Sequence, residues 1–94
     1  MKTILIDWFA IQNSEDFYVS VLPQTGAPGW HGHNLNAIND SWLAGGICLG
    51  GPPFHFVFRH AKDINPDLKE FAEAICGFAE NSAMEHGGKV TYED

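Results

Sequence analysis

The sequence is short of cysteine, of positive charge and of long apolar runs, and each shortage removes a class of protein. Its two cysteines, Cys48 and Cys76, are too few for the disulfide framework of a small secreted domain. Neither stands in a CxxC or comparable metal spacing, so both are expected as reduced, buried thiols. Five Lys and Arg against 12 Asp and Glu give a formal charge of -7. That charge repels phosphate backbones, argues against direct nucleic-acid binding and favours a basic protein partner. No apolar run approaches the ~18 residues of a membrane span. The opening MKTILIDWFA reaches Asp7 too soon for the apolar core of a signal peptide, and the chain is expected in the cytoplasm.

What is present belongs to a folded protein. Hydrophobic residues make up 45% and aromatics 13% of the 94 positions, enough to bury one core, so the acidity is not that of a disordered chain. A single domain over residues 1–94 is expected, with no internal repeat or linker.

Thr3 to Ile6 is a β-branched, apolar run closed by Asp7, the pattern of a strand buried on both faces. Ser14 followed by Glu15 and Asp16 reads as a capped helix start limited by Pro23, although FYVSV, from Phe17, alternates like a strand. Gln24 to Gly32 reads as a loop. Leu35, Ile38 and Trp42, at i, i+3 and i+7, predict a helix from Asn34 to Leu43 that Gly45 and Gly46 stop. Residues 45–53 read as a second loop, and FHFVF at 54–58 is the strongest strand signal.

Asn65 and Pro66 open a further helix carrying Leu68, Phe71, Ala72, Ile75, Phe78 and Ala79 at helical period, down to about Glu80. Gly77 inside it suggests close packing against a strand, and Gly87 and Gly88 break it before a last strand, Lys89 to Tyr92. This alternation predicts an α/β fold, a small three-stranded parallel sheet covered by helices. Phe54, Phe56, Phe58, Phe71, Ile75 and Phe78 are its expected core.

Several chemistries are suggested and weakly supported. His31 and His33, at i and i+2, lack the third strong ligand a metal site needs, so the competing reading is a surface loop. Ser41, Cys48, His55 and His60 contain the parts of a nucleophilic site, but no strained elbow such as GxSxG presents one. GGICLGG at 45–51 has the glycines of a phosphate loop without the GxxxxGK[ST] order.

The helix from Asn34 carries more information. With Leu35, Ile38 and Trp42 inward, His33, Asn36 and Asp40 share the opposite arc and Asn39 sits at its border. Trp30 and His31 precede it, so an aromatic, several amides and one carboxylate would form a continuous patch. That is the composition of a protein interface, or of an ordinary solvated helix face.

PGWHGHNLNAINDSWL resembles the signature segment of the barstar family, intracellular protein inhibitors of ribonucleases and related immunity proteins. Pro28, Trp30, Gly32, Asn34, Leu35, Ala37 and Asp40 match in register, and the order of elements fits over most of the chain. The resemblance implies inhibition by occlusion: the helix and its preceding loop plug the cleft of a basic nuclease, and Asp40 replaces a phosphate among its cations. It implies further that Trp30 packs at the mouth of the cleft, that Asn34 is the motif's amide and that Glu80 is a further acidic contact. Two positions depart from the pattern: Asn36 replaces a second acid and Asn39 a tryptophan, which implies a target with a different arrangement of charge.

The expectation is a non-enzymatic immunity protein without cofactor, a monomer or a 1:1 complex with its nuclease toxin, acting in interbacterial competition. Its partner-binding residues would be Trp30, His31, His33, Asn34, Asn36, Asn39, Asp40 and Glu80. The alternatives are a small α/β enzyme or metal-binding protein using His31, His33 and Asp40, and an adaptor for a non-nuclease partner.

Overall fold

The computed structural model describes residues 1–27, 29, 32–44 and 53–93, the side chain of Ala44 excepted. Three strands, β1 (Lys2–Asp7), β2 (Phe54–Arg59) and β3 (Lys89–Glu93), form a parallel sheet in the order β1-β2-β3. Ile4 is level with Phe56 and Val90, and Ile6 with Phe58 and Tyr92. Helices α1 (Ser14–Thr25) and α2 (Leu35–Asn39) lie between β1 and β2, and α3 (Lys69–His86) between β2 and β3. The fold is the α/β arrangement that the alternation predicts, with β2 in the middle.

One face of the sheet is buried beneath the helices; on the other, β1 is exposed while Val57 of the central strand is buried among the strands' own side chains. Ile4, Ile6, Phe54, Phe56 and Phe58 are fully buried beneath the helices, together with Trp8, Phe17, Ile38, Trp42 and Ile75. Phe71 and Phe78, expected in the core, are half-buried and pack against it. β1 is not buried on both faces: Thr3 is exposed and Leu5 is 41% exposed. An apolar run at an edge strand looks like a central strand in sequence, because periodicity does not show which layers exist.

The first helix corrects two expectations. Its cap is Asn13, whose Oδ1 accepts from Asp16 N–H at 2.9 Å, so Ser14 is the first helical residue. FYVSV is helical: Phe17, Tyr18 and Val21 are buried while Val19 is 63% exposed. Pro23 does not end the helix, which runs two residues further to Thr25 and closes at Gly26 in the left-handed region. Without an N–H, Pro23 leaves the carbonyl four residues back unpaired, but that residue is the exposed Val19 and water can serve it.

α3 begins as expected, with Asn65 Oδ1 accepting from Asp67 N–H at 3.0 Å and Pro66 opening a 3-10 turn. It continues past Glu80 to His86 and closes at Gly87, φ +75°. A Cβ on Gly88 would lie 2.5 Å from the carbonyl oxygen of Phe54, so the pair Gly87-Gly88 is needed to swing the chain into β3. Among the described residues Gly77 packs against no strand: none of their atoms lies within 4 Å of its Cβ position, and it lines an open groove of about 620 Å³ with Ala72, Cys76 and Ile64.

Candidate functional site

α2 is short and its phase is fixed from both ends. Asn34 Oδ1 accepts from Ala37 N–H at 2.8 Å, capping the helix. A Cβ on residue 32 would come within 2.7 Å of Asn34 Nδ2, so Gly32 leaves room for the cap to form. Just before the helix, His33 Nδ1 donates to Glu15 of α1, 2.6 Å from Oε1, and its ring stacks on Tyr18 with centroids 5.2 Å apart. Ile38 is fully buried and Leu35 half-buried, as the apolar stripe requires.

After Asn39 the helix widens into a π-type turn, Asp40–Ala44. The turn delivers Trp42 into the core, fully buried, with ring centroids 4.6 Å from Phe56 and 6.4 Å from Phe17. Ser41 is buried too, its hydroxyl donating to Ile38 C=O at 3.3 Å. His86 at the end of α3 donates from Nε2 to the carbonyl of Leu43, tying the turn to the neighbouring helix. π turns of this kind are frequent at functional sites, where one added residue re-aims a side chain.

The outward arc is as the helical phase predicts. His33, Asn34, Asn36 and Asp40 are exposed and Asn39 is half-buried. Asn34 is in addition the cap, so its amide oxygen is used inside the fold. Trp30 and His31 lie outside the described residues, as do Cys48 and the glycine-rich stretch 45–51.

Glu80 stands elsewhere. It accepts from the hydroxyl of Tyr92 at 2.6 Å and lines the groove around Cys76 and Gly77. The acid of α3 that meets Asp40 is Glu85: with Asn39, Asp40 and Leu43 it encloses a recess of about 270 Å³. Helical geometry accounts for the difference. Phe71 packs edge-on against Phe17 and Tyr18 of α1 and marks the flank of α3 that faces the other helices. Glu85, two heptads on, lies near that flank, whereas Glu80, nine residues on at about 100° each, points roughly half a turn away. The spacing of Phe71, Phe78 and Glu85 is the signal in the sequence that distinguishes the two acids.

Two acids therefore flank one recess. Among the described residues neither Asp40 nor Glu85 has a cationic partner; the ion pairs present join His33 to Glu15, Arg59 to Glu93 and His60 to Asp7. Both acids therefore stand without charge compensation among the described residues, on a chain of charge -7.

The candidate nucleophile site is not assembled among the described residues. Ser41 is buried, His55 Nε2 shares a hydrogen bond with Thr91 Oγ1 at 2.8 Å, and His60 Nδ1 donates to Asp7 at 2.7 Å. That last bond, ahead of the other influences, holds the Asp7 carboxyl below its ordinary value. Burial raises the Cys76 thiol to about 11, far from that of a reactive cysteine. No three His, Cys, Asp or Glu side chains among the described residues are grouped so as to hold a metal ion. No helix there is long and apolar enough to cross a membrane.

A three-stranded parallel sheet under a layer of helices, with one exposed carboxylate at the end of a short capped helix, defines a small α/β protein. The particular family follows: a family model described as Barstar (barnase inhibitor) matches residues 1–90, and the chain belongs to the barstar family. This is a family of ribonuclease inhibitors and not of enzymes. A search of curated proteins gave no significant match.

Proposed function

We propose that this chain is an immunity protein, which binds a nuclease toxin of the barnase type or a related one and occludes its active cleft. The observation that carries the reading is the position of Asp40. It is exposed and without a cationic partner among the described residues, on a turn whose next buried side chains, Ser41 and Trp42, are fixed in the core. A carboxylate held in this way loses little freedom on binding and can stand where a substrate phosphate would, among the cations of a basic cleft. Glu85 adds a second charge to the recess.

Asn36, Asn39, His33 and the Asn34 cap surround Asp40 with amide and imidazole groups, and Trp30 and His31 precede them in sequence. Such a surface can align a partner by hydrogen bonds as well as by charge. The departures at Asn36 and Asn39 leave Asp40 as the only acid on α2 and its turn, so the target should present fewer cations to this helix than a site read by two acids. The binding is one nuclease per chain, and the setting is the cytoplasm of a cell that also makes or meets the toxin.

Affinity capture from the native cell with the immobilised protein, followed by nuclease assay of the captured fraction, tests the reading. A basic nuclease released by Asp40→Ala and inhibited by the native chain is the expected result. Capture of a partner without nuclease activity, insensitive to Asp40→Ala, would refute it.

A further inference from the structure

The two edges of the sheet are finished differently. On the outer edge of β1 the backbone of Leu5 is engaged by Gln24, whose amide exchanges two hydrogen bonds with it, 2.7 Å to its N–H and 2.8 Å to its C=O. β3 is the other edge, its backbone bonded among the described residues to β2 and to His60 just beyond it. His60 N–H donates to Glu93 C=O at 3.0 Å, and Arg59 is level with Glu93. In a parallel ladder this directs the backbone groups of Thr91 and Glu93 towards β2 and those of Val90 and Tyr92 outwards. Among the described residues, four backbone groups along β3 thus have no partner where another strand could add.

The sequence of that strand, KVTYE from Lys89 to Glu93, is complementary to itself when reversed. Set antiparallel to a copy of itself about Thr91, it places Lys89 opposite Glu93 at both ends, Val90 opposite Tyr92 twice, and Thr91 opposite Thr91. Opposite charges, an aromatic against a β-branched residue and a threonine pair are the cross-strand combinations that stabilise antiparallel sheets. The backbone agrees with the side chains. In this register Val90 and Tyr92 exchange their outward N–H and C=O groups, and Thr91 falls in the pair that needs no hydrogen bond. A slip of one residue would oppose the outward groups of Val90 to Thr91, whose groups are spent on β2. A slip of two would lose both charge pairs.

We propose that the chain associates with a second copy of itself through β3, antiparallel and about a twofold axis at Thr91, making one six-stranded sheet. Tyr92 is held ready for this: it is 53% exposed, stacked on Phe58 at 5.4 Å and anchored through its hydroxyl to Glu80. Lys89, Thr91 and Glu93 share the face of the sheet away from the helices with their β2 neighbours His55, Val57 and Arg59; Glu93, already 3.7 Å from Arg59 within its own chain, would be shared between that cation and the partner's Lys89. Twofold pairing of identical surfaces is the commonest way for a soluble chain to form a dimer. The edge lies on the flank of α3 away from Asp40 and Glu85, so each copy keeps its recess open.

Sedimentation equilibrium of the full chain over a concentration series tests this, with Lys89→Glu and Glu93→Lys as variants. Both residues are exposed, and circular dichroism checks that the variants fold. The native chain is expected as a concentration-dependent dimer. Each variant alone, now facing like charges twice, should dissociate about tenfold more readily. An equimolar mixture of the two variants should recover the association, because each then meets its opposite. A native chain that stays monomeric overturns the proposal, as does a variant dimerising like the native chain or a mixture no tighter than its components. None of these outcomes depends on whether a nuclease is bound.

Discussion

Gln24 occupies the place of a strand beside Leu5: its side-chain amide both donates to and accepts from the backbone of that residue, at 2.8 and 2.7 Å. Its Nε2 also donates to Ser20 C=O at 2.8 Å, so α1 is sewn to the sheet edge by a single side chain. Replacing Gln24 by Ala removes these bonds and should lower stability by about 1–2 kcal/mol. The freed edge of β1 should also increase aggregation, and light scattering during thermal unfolding reads both effects. A variant that melts and scatters like the native chain would show the contact to be incidental.

Trp42 lies in the core two residues from Asp40, between Phe17 and Phe56. Trp42→Ala should cost about 3–5 kcal/mol through the cavity it leaves. Denaturant titration measures this. A midpoint that does not shift would mean that the turn is not anchored by the ring.

The acids of α3 divide sharply. Glu85→Ala should weaken the complex with the cognate nuclease, by less than Asp40→Ala, for which a loss of about thirtyfold or more is expected. Glu80→Ala should leave affinity nearly unchanged, since Glu80 is engaged with Tyr92 on the other flank. Calorimetric titration of the three variants decides it, and the reverse order would make Glu80 the contacting acid.

Asp7 gives the fold a pH dependence of known sign. The hydrogen bond from His60, aided by Arg59, holds its carboxyl below the unfolded value of 3.8. A lowered folded value stabilises above the unfolded one and is lost as pH falls through the folded value. The native chain should therefore melt higher than Asp7→Asn near neutrality, and the gap should close in acid below 3.8. A gap constant across that range would exclude the linkage.

Cys76 should be slow to alkylate. With its thiol raised to about 11 from 9.0, it should react about 100-fold more slowly than a free cysteine near neutral pH. Mass spectrometry of a Cys48→Ser variant treated with iodoacetamide checks this, and rapid labelling would show that the thiol is not held as the structure places it.

Much of the fold and part of the site are legible in the amino-acid sequence. The strand FHFVF, the Asn65-Pro66 helix start and the inward phase of Leu35, Ile38 and Trp42 all depend on short-range patterns, and the fold keeps them. The rest depends on which layers meet. Leu5 looks like a buried strand residue, but at the sheet edge, with no helix of the described residues over its face, it is 41% exposed. Pro23 reads as a stop, but the carbonyl it orphans belongs to a residue facing water. Glu80 and Glu85 are alike as acids on one helix, and only the packing of Phe71 on α1 tells which flank approaches Asp40.

The wide turn that places Asp40 outside and Trp42 inside separates two kinds of change. Exchanges at Asn36 or Asp40, both exposed, alter the proposed recognition surface while leaving the buried ring and its neighbours in place. Under the proposed function, a lineage carrying this chain can therefore follow a diverging nuclease one surface substitution at a time, without passing through an unfolded ancestor.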